Sequence, residues 1–462
     1  MLQARARSRS LLRLLSSLPS TPSPKNEDFA RRMNNRITNM KRSGDVTGVL
    51  NLFTQLPSLK FNEIHLANIF GTLAKTIQTP ADSNRLQSGP KFSELLSTTT
   101  THLVNTPTSD FFTTRQLSSI THSLGKLGIY DQSYFNGIES VRDMLSMNGN
   151  SQALANIAWG CARVQFRSEP LFASIATQSA RVAQHGKPQE LSNLLWAFAK
   201  LDIKSKVLFE SVANQYHRVA KQGNVQDLSI IVWSFATSEV ESDQLFKAVE
   251  GERGRIVDQG SVHCLSNICW AFAKNAHRSP SLFEAVARQA ERIASEGKIQ
   301  EISNIVLAFA KSEHKSVASE EMFGQIARQH VRIVREGKIK EWINILWSFA
   351  HAQVKAGELF DAILAQKVRI IREGNVQDLS QILHAYSNSG IFDRDLFEEV
   401  GRRGGVEKWS EQHVANTLRS YAIAGFLDMP FVQTLWQRAL DPEMKFTGER
   451  ARLLDWFNKN TY

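Results

Sequence analysis

Tryptophan recurs in this chain at a fixed interval. Trp159, Trp196, Trp233 and Trp270 stand 37 residues apart, Leu307 takes the next place, Trp347 follows 40 residues later and His384 another 37. Two further series keep the same register. Gly186, Gly223, Gly260, Gly297, Gly337 and Gly374 step by 37, 37, 37, 40 and 37, and Phe172, Phe209, Phe246, Phe283, Phe323 and Phe360 each lie 14 residues before one of them. The heptapeptide GNVQDLS recurs unchanged at 223–229 and 374–380. Three series in register mean repeated supersecondary units. Units this short cannot bury their own apolar faces, so they must stack on one another.

Each unit reads as two helices. In ELSNLLWAFAKL, Leu191, Leu194, Leu195 and Phe198 fall at i, i+3, i+4 and i+7, one apolar stripe. Acids open this first helix in five units, Glu190, Asp227, Glu301, Glu341 and Asp378, where they favour the positive end of the helix dipole. In VLFESVANQYHRVAKQG, Phe209, Val212, Ala213, Tyr216, Val219 and Ala220 form the stripe of a second helix, and Gly223 and its equivalents are expected to cap it. The 40-residue unit carries its three extra residues between Lys311 and Phe323, in the turn between helices. Weaker copies extend the array: RQLSSITHSLGKLG puts His122 at the tryptophan place, QHVANTLRSYAIAG puts Arg419 there, and LANIFGTLAK at 66–75 is a detached earlier copy.

The expected fold is therefore all-α, an α-solenoid of about eight tandem two-helix repeats of 37 residues. Its expected segments are 115–425 for the array, 26–114 for a degenerate N-terminal helical region with a polar linker, and 426–462 for a C-terminal cap. The linker is read from TIQTPADSNRLQSGPKF and STTTTHLVNTPTSD. Residues 1–25 hold four arginines, one lysine and no acid, mixed with leucine and serine and ending in prolines, and so read as an organelle-targeting presequence. They supply +5 of the net +10, leaving about +5 on the rest of the chain. Three cysteines, none in a CxxC pair, argue against a disulfide framework or a zinc ribbon. No apolar run approaches the ~20 residues of a membrane span.

On the first helix, the face away from the apolar stripe has its own pattern, Asn193, Trp196 and Lys200 at i, i+3 and i+7. Asn156, Asn267, Asn304 and Asn344 share the asparagine place, and Lys126, Lys274 and Lys311 share the lysine place, with Arg163 and His351 as variants. An amide serves base edges, an indole offers a π-face and a lysine pairs with phosphate, so the trio suits single-stranded nucleic acid. It equally suits a wedge and a tie between repeats. A second basic track, Arg181, Arg218, Arg255, Arg292, Arg332 and Arg369, runs down the second helices, mostly with glutamine three residues earlier. Cations there also offset a helix C-terminus. A third set varies while its frame is fixed: Ala153, Glu190, Asp227, Cys264, Glu301, Glu341 and Asp378, as one-base-per-repeat reading or surface drift would produce.

LSNLLWAFAKLDIKSKVLF, LSNICWAFAKNAHRSPSLF and INILWSFAHAQVKAGELF resemble the octotricopeptide repeats of organellar RNA-binding proteins, built around an L-x-N-x-x-W-A-x-A-K core. They are also similar to the helical-repeat subunits of mitochondrial RNA-editing substrate-binding complexes. The likeness covers about 310 of 462 residues and weakens at Leu307, His384 and Arg419. It implies binding of single-stranded organellar RNA for editing, processing, stability or translation, together with other subunits, in the mitochondrion or alternatively the plastid. The rival reading is a protein-binding α-solenoid scaffold of an organellar complex. Many octotricopeptide relatives end in a small nuclease-like domain, and MKFTGERARLLDWFNKNTY offers no counterpart. Phosphate-binding loops, HExxH and nucleophile elbows are absent from the sequence, so no enzyme, metal or cofactor is expected.

Overall fold

The computed structural model describes residues 24–55, 61–105 and 111–441, with 444, 448, 451 and 452 beyond, and these form helices and turns without a strand. The presequence assignment falls almost wholly outside the described residues. The chain divides into two compact units, residues 1–208 and 209–462.

The repeats set out their first helices in a row. In unit 1 these are α1 (Glu63–Thr76), α2 (Thr114–Leu127), α3 (Ser151–Arg163) and α4 (Pro188–Lys200). In unit 2 they are α5 (Val225–Ser238), α6 (Val262–Lys274), α7 (Ile299–Ser312), α8 (Ile339–Ala352), α9 (Val376–Asn388) and α10 (Glu411–Ala424). Within each unit every first helix packs on the next, and the second helices form an outer layer, the stacking that defines an α-solenoid. The 66–75 copy, detached in sequence, is adjacent in space, because α1 packs directly on α2.

Aromatic side chains join the layers. Phe172 meets Phe198 edge-on at 4.8 Å between ring centres, Phe246 meets Phe272 at 4.9 Å, and Phe283 meets Phe309 at 4.9 Å. In each pair the first ring belongs to the second helix of one repeat and the other to the first helix of the next. These rings are almost fully buried. Single repeats therefore complete their cores only by stacking.

Three local expectations are corrected. The second helices from Gln132 through Glu373 are broken near the middle, as where Pro280–Ala287 is followed by Ala290–Glu296 with Gln289 at φ −91° in the break, whereas Arg394–Arg403 is a single helix. The apolar stripe continues across the break and so does not reveal it. The repeated glycine does end this segment, but in extended backbone, as at Gly186 (φ −69°) and Gly297 (φ −65°). It is needed for space: a Cβ on Gly297 would come within 2.6 Å of the Ile293 carbonyl and 3.0 Å of Val262. The left-handed residue closes the first helix instead. Gln165, Asp202, Glu239, Ala276, Glu313 and Gln353 all have φ between 51° and 60°, and Gly128, Gly390 and Gly425 fill the same place elsewhere. The next amide, as in Phe166 to Cys161 (2.9 Å) or Val240 to Phe235 (3.0 Å), donates back into the helix. Lastly, residues 97–105, read as part of a polar connection, are the end of the helix Pro90–Asn105, which buries Leu95, Leu96, Thr99 and Leu103.

Candidate functional site

The N-termini of the first helices explain the variable set. Lys187 and Lys298 donate their backbone N–H groups to Glu190 (3.1 Å) and Glu301 (3.0 Å), and Asn224 donates to Asp227 (3.1 Å). Lys338 and Asn375 do the same with Glu341 (2.9 Å) and Asp378 (3.0 Å). Where the third helical residue makes no bond to the N-cap amide, at Ala153 and Cys264, the preceding Asn150 and Ser261 side chains cap the helix, and the Ser261 hydroxyl also donates to the Cys264 Sγ at 3.4 Å. The scatter at this place is capping chemistry: an acid there accepts from the N-cap amide, an N-cap Asn or Ser accepts from the third helical amide, and Asn224 with Asp227 and Asn375 with Asp378 make both bonds.

Six residues further along, the tryptophan places form rows of rings between neighbouring first helices. In unit 1 His122 stacks on Trp159 at 4.7 Å, and Trp159 meets Trp196 at 6.3 Å. In unit 2 Trp233 meets Trp270 at 6.4 Å, Leu307 interrupts the row, and Trp347 stacks on His351 at 4.7 Å. The side chains at the tryptophan places are half-buried, leaving part of each open, and His351 is exposed. Burial, with the nearby Lys126 charge, holds the His122 imidazole below its usual range, and burial with the Arg419 charge does so for His384.

The basic places flank these rows. Lys126, Arg163 and Lys200 in unit 1, and Lys274 and Lys311 in unit 2, line the outward side. Arg163 lies over the Trp159 ring at 5.6 Å, and Lys274 has one ion pair, to Glu239 at 3.6 Å. The asparagines divide. Asn344 reaches Ser303 of the preceding first helix at 3.5 Å and Asn267 contacts His263 at 3.3 Å, whereas Asn156, Asn193 and Asn304 are half-buried and make no side-chain hydrogen bond among the described residues.

The arginines of the second helices sit differently. Arg181 donates to the carbonyls of Gly149 (2.9 Å) and Ser146 (3.0 Å), and Arg255 to those of Gly223 (2.5 Å) and Ala220 (2.6 Å). Arg292 reaches Val257 (2.8 Å), and Arg332 reaches Ser295 (3.1 Å) and Ala294. Each clasps the last turn of the preceding repeat's second helix, where the dipole is negative. Gln178 accepts from the Arg181 Nε at 3.0 Å and Gln215 from the Arg218 Nε at 3.4 Å, whereas the Nε atoms of Arg292 and Arg332 take no partner among the described residues although Gln289 and Gln329 stand at the same spacing. Arg369 departs from the set, lying over the Trp342 ring at 4.6 Å and pairing with Glu373 at 3.1 Å. Arg403, outside the 37-residue register, clasps Ile371 and Gly374.

No helix among the described residues is long and apolar enough to cross a membrane. The family model of the RNA-editing substrate-binding complex 6 protein matches residues 93–357, which bears out one of the two resemblances drawn from the repeat cores. Among curated proteins there is no sequence match. Among solved structures the chain is similar to the crystal structure of the pentatricopeptide repeat protein PPR10 from maize, at 9% identity over 93% of this chain and 86% of that one, with a TM-score of 0.21.

Proposed function

The chain belongs to the RNA-editing substrate-binding complex 6 protein family, and from that premise we propose that it binds single-stranded RNA through the ring rows of its first helices. On this reading it acts as a non-catalytic subunit of a mitochondrial RNA-editing complex. The observation that carries the proposal is the row of His122, Trp159 and Trp196, partly open and flanked by the cations of Lys126, Arg163 and Lys200. Half-open rings offer π-faces to successive bases, and cations one turn away meet the phosphates between them. The acid-free leader supports import into the organelle.

Binding of a labelled single-stranded RNA oligomer at rising salt tests this. Affinity should fall with a log–log slope of about −0.7 for each phosphate contact. Trp196→Leu should weaken binding by about 1–3 kcal/mol, the usual worth of one stacked base. Absence of binding, or binding indifferent to both salt and Trp196→Leu, overturns the proposal and leaves the protein-binding scaffold in its place.

A further inference from the structure

Unit 1 holds a polar cleft of about 470 Å³ between the N-terminal halves of α2 and α3. Arg115, Ser119 and His122 line it from α2, and Asn148, Gln152 and Asn156 from the α3 side. Carboxylates are missing from its lining, and Arg115 forms no ion pair among the described residues.

Six later joints between first helices within the two units do not repeat this composition. Four put acids at the places of Ala153 or Asn148: Glu190; Glu296 and Glu301; Glu336 and Glu341; Glu373 and Asp378. The remaining two, α5 against α6 and α9 against α10, carry Gln226 and Gln377 where Arg115 stands. Among these joints only that of α2 and α3 combines a guanidinium with uncharged amides and hydroxyls.

This chemistry narrows the ligand. An unpaired guanidinium is a fork for phosphate oxygens. Amides of Asn and Gln both donate and accept, as the edges of nucleobases require. A volume of about 470 Å³ lies within the range of pockets that enclose one small organic ligand.

We propose that this cleft is a subsite for a single nucleotide, its phosphate on Arg115 and its base edge on Asn156, Gln152 and Ser119. The proposal depends on the RNA reading above only for the source of that nucleotide, a residue of a bound strand rather than a free nucleoside monophosphate.

Photolabelling the full-length chain separates the two. One probe is an azido-purine nucleoside monophosphate, the other a single-stranded RNA oligomer carrying thiouridine, and labelled peptides are mapped by mass spectrometry. Both probes are expected to mark residues within 114–156. Arg115→Gln should reduce that labelling roughly tenfold, the worth of one charge-assisted hydrogen bond. Gln152→Trp, at an exposed place on the rim, should block it while leaving the thermal melt unchanged. RNA labelling confined to other helices, with no nucleotide label at 114–156, overturns the cleft and leaves RNA binding intact. Nucleotide labelling of the cleft without any RNA binding keeps the subsite and removes the RNA reading. Labelling that survives both substitutions overturns the proposal.

Discussion

The lysine row of the first helices and the arginine row of the second helices share a period and a charge, but the lysines stand in the last turn of their helix and the arginines in the first turn of the segment after the break. Lys200 and Lys311 are exposed, while Arg255 has its guanidinium on two carbonyls of the preceding repeat and its Nε 3.1 Å from Glu252. Lys221 meets the same carboxylate at 2.6 Å, and the two cations hold Glu252 below the usual range of a carboxyl. Periodic charge thus carries no function by itself. At Arg181, Arg255, Arg292 and Arg332 the cation faces the end of another helix and is consumed as a joint, whereas Lys200 and Lys311 are exposed and Lys274 has a single ion pair to Glu239.

The largest expected effect breaks the joint. Arg255→Gln leaves the Gly223 and Ala220 carbonyls without their charged donor and should cost about 1–3 kcal/mol. Faster amide exchange across 216–223 would show it, with RNA affinity per folded molecule unchanged. An unaltered exchange pattern would mean that the arginine is not a joint.

The matching change in the inner row is Lys200, Lys274 and Lys311 together to Gln. Stability should move by less than about 0.5 kcal/mol. The log–log salt slope for RNA should shrink by about 0.7 for each phosphate that no longer meets a lysine. If the lysine set left binding intact and the arginine change abolished it, the roles of the two rows would be exchanged.

The smallest effect lies between the rows. Ala276 has φ 51°, a conformation that glycine adopts without strain. Ala276→Gly should raise stability by about 0.5–1 kcal/mol, read as a higher midpoint in denaturant, and should leave RNA binding untouched. A destabilised variant would show that the alanine methyl supports the turn.

Sequence alone reveals the repeat because Phe, Trp and Gly series are set by packing between repeats, which tolerates few shapes. Phe172 on Phe198 and Gly297 against Val262 are contacts of that kind. What sequence does not reveal is closed by the backbone or by interchangeable groups. The left-handed place is invisible because its hydrogen bonds use main-chain atoms, so Gln, Asp, Glu, Ala and Gly all serve. The capping place looks variable because a helix start can be closed by a side chain before the helix, by an acid inside it, or by both, as at Asn224 with Asp227. The arginine track reads like a binding surface because its partners, Ser146 or Val257 carbonyls, belong to no side chain. The cleft at Arg115 escapes notice for a different reason: it is an exception to the repeat, and periodicity selects for rules.

The same backbone-closed turns have an evolutionary consequence. At Gln165, Asp202, Glu239, Glu313 and Gln353 the fold fixes a main-chain angle and is indifferent to what the side chain says. Related chains can therefore rewrite the charge of that edge one repeat at a time, and their differences there would record the history of what each chain has had to touch.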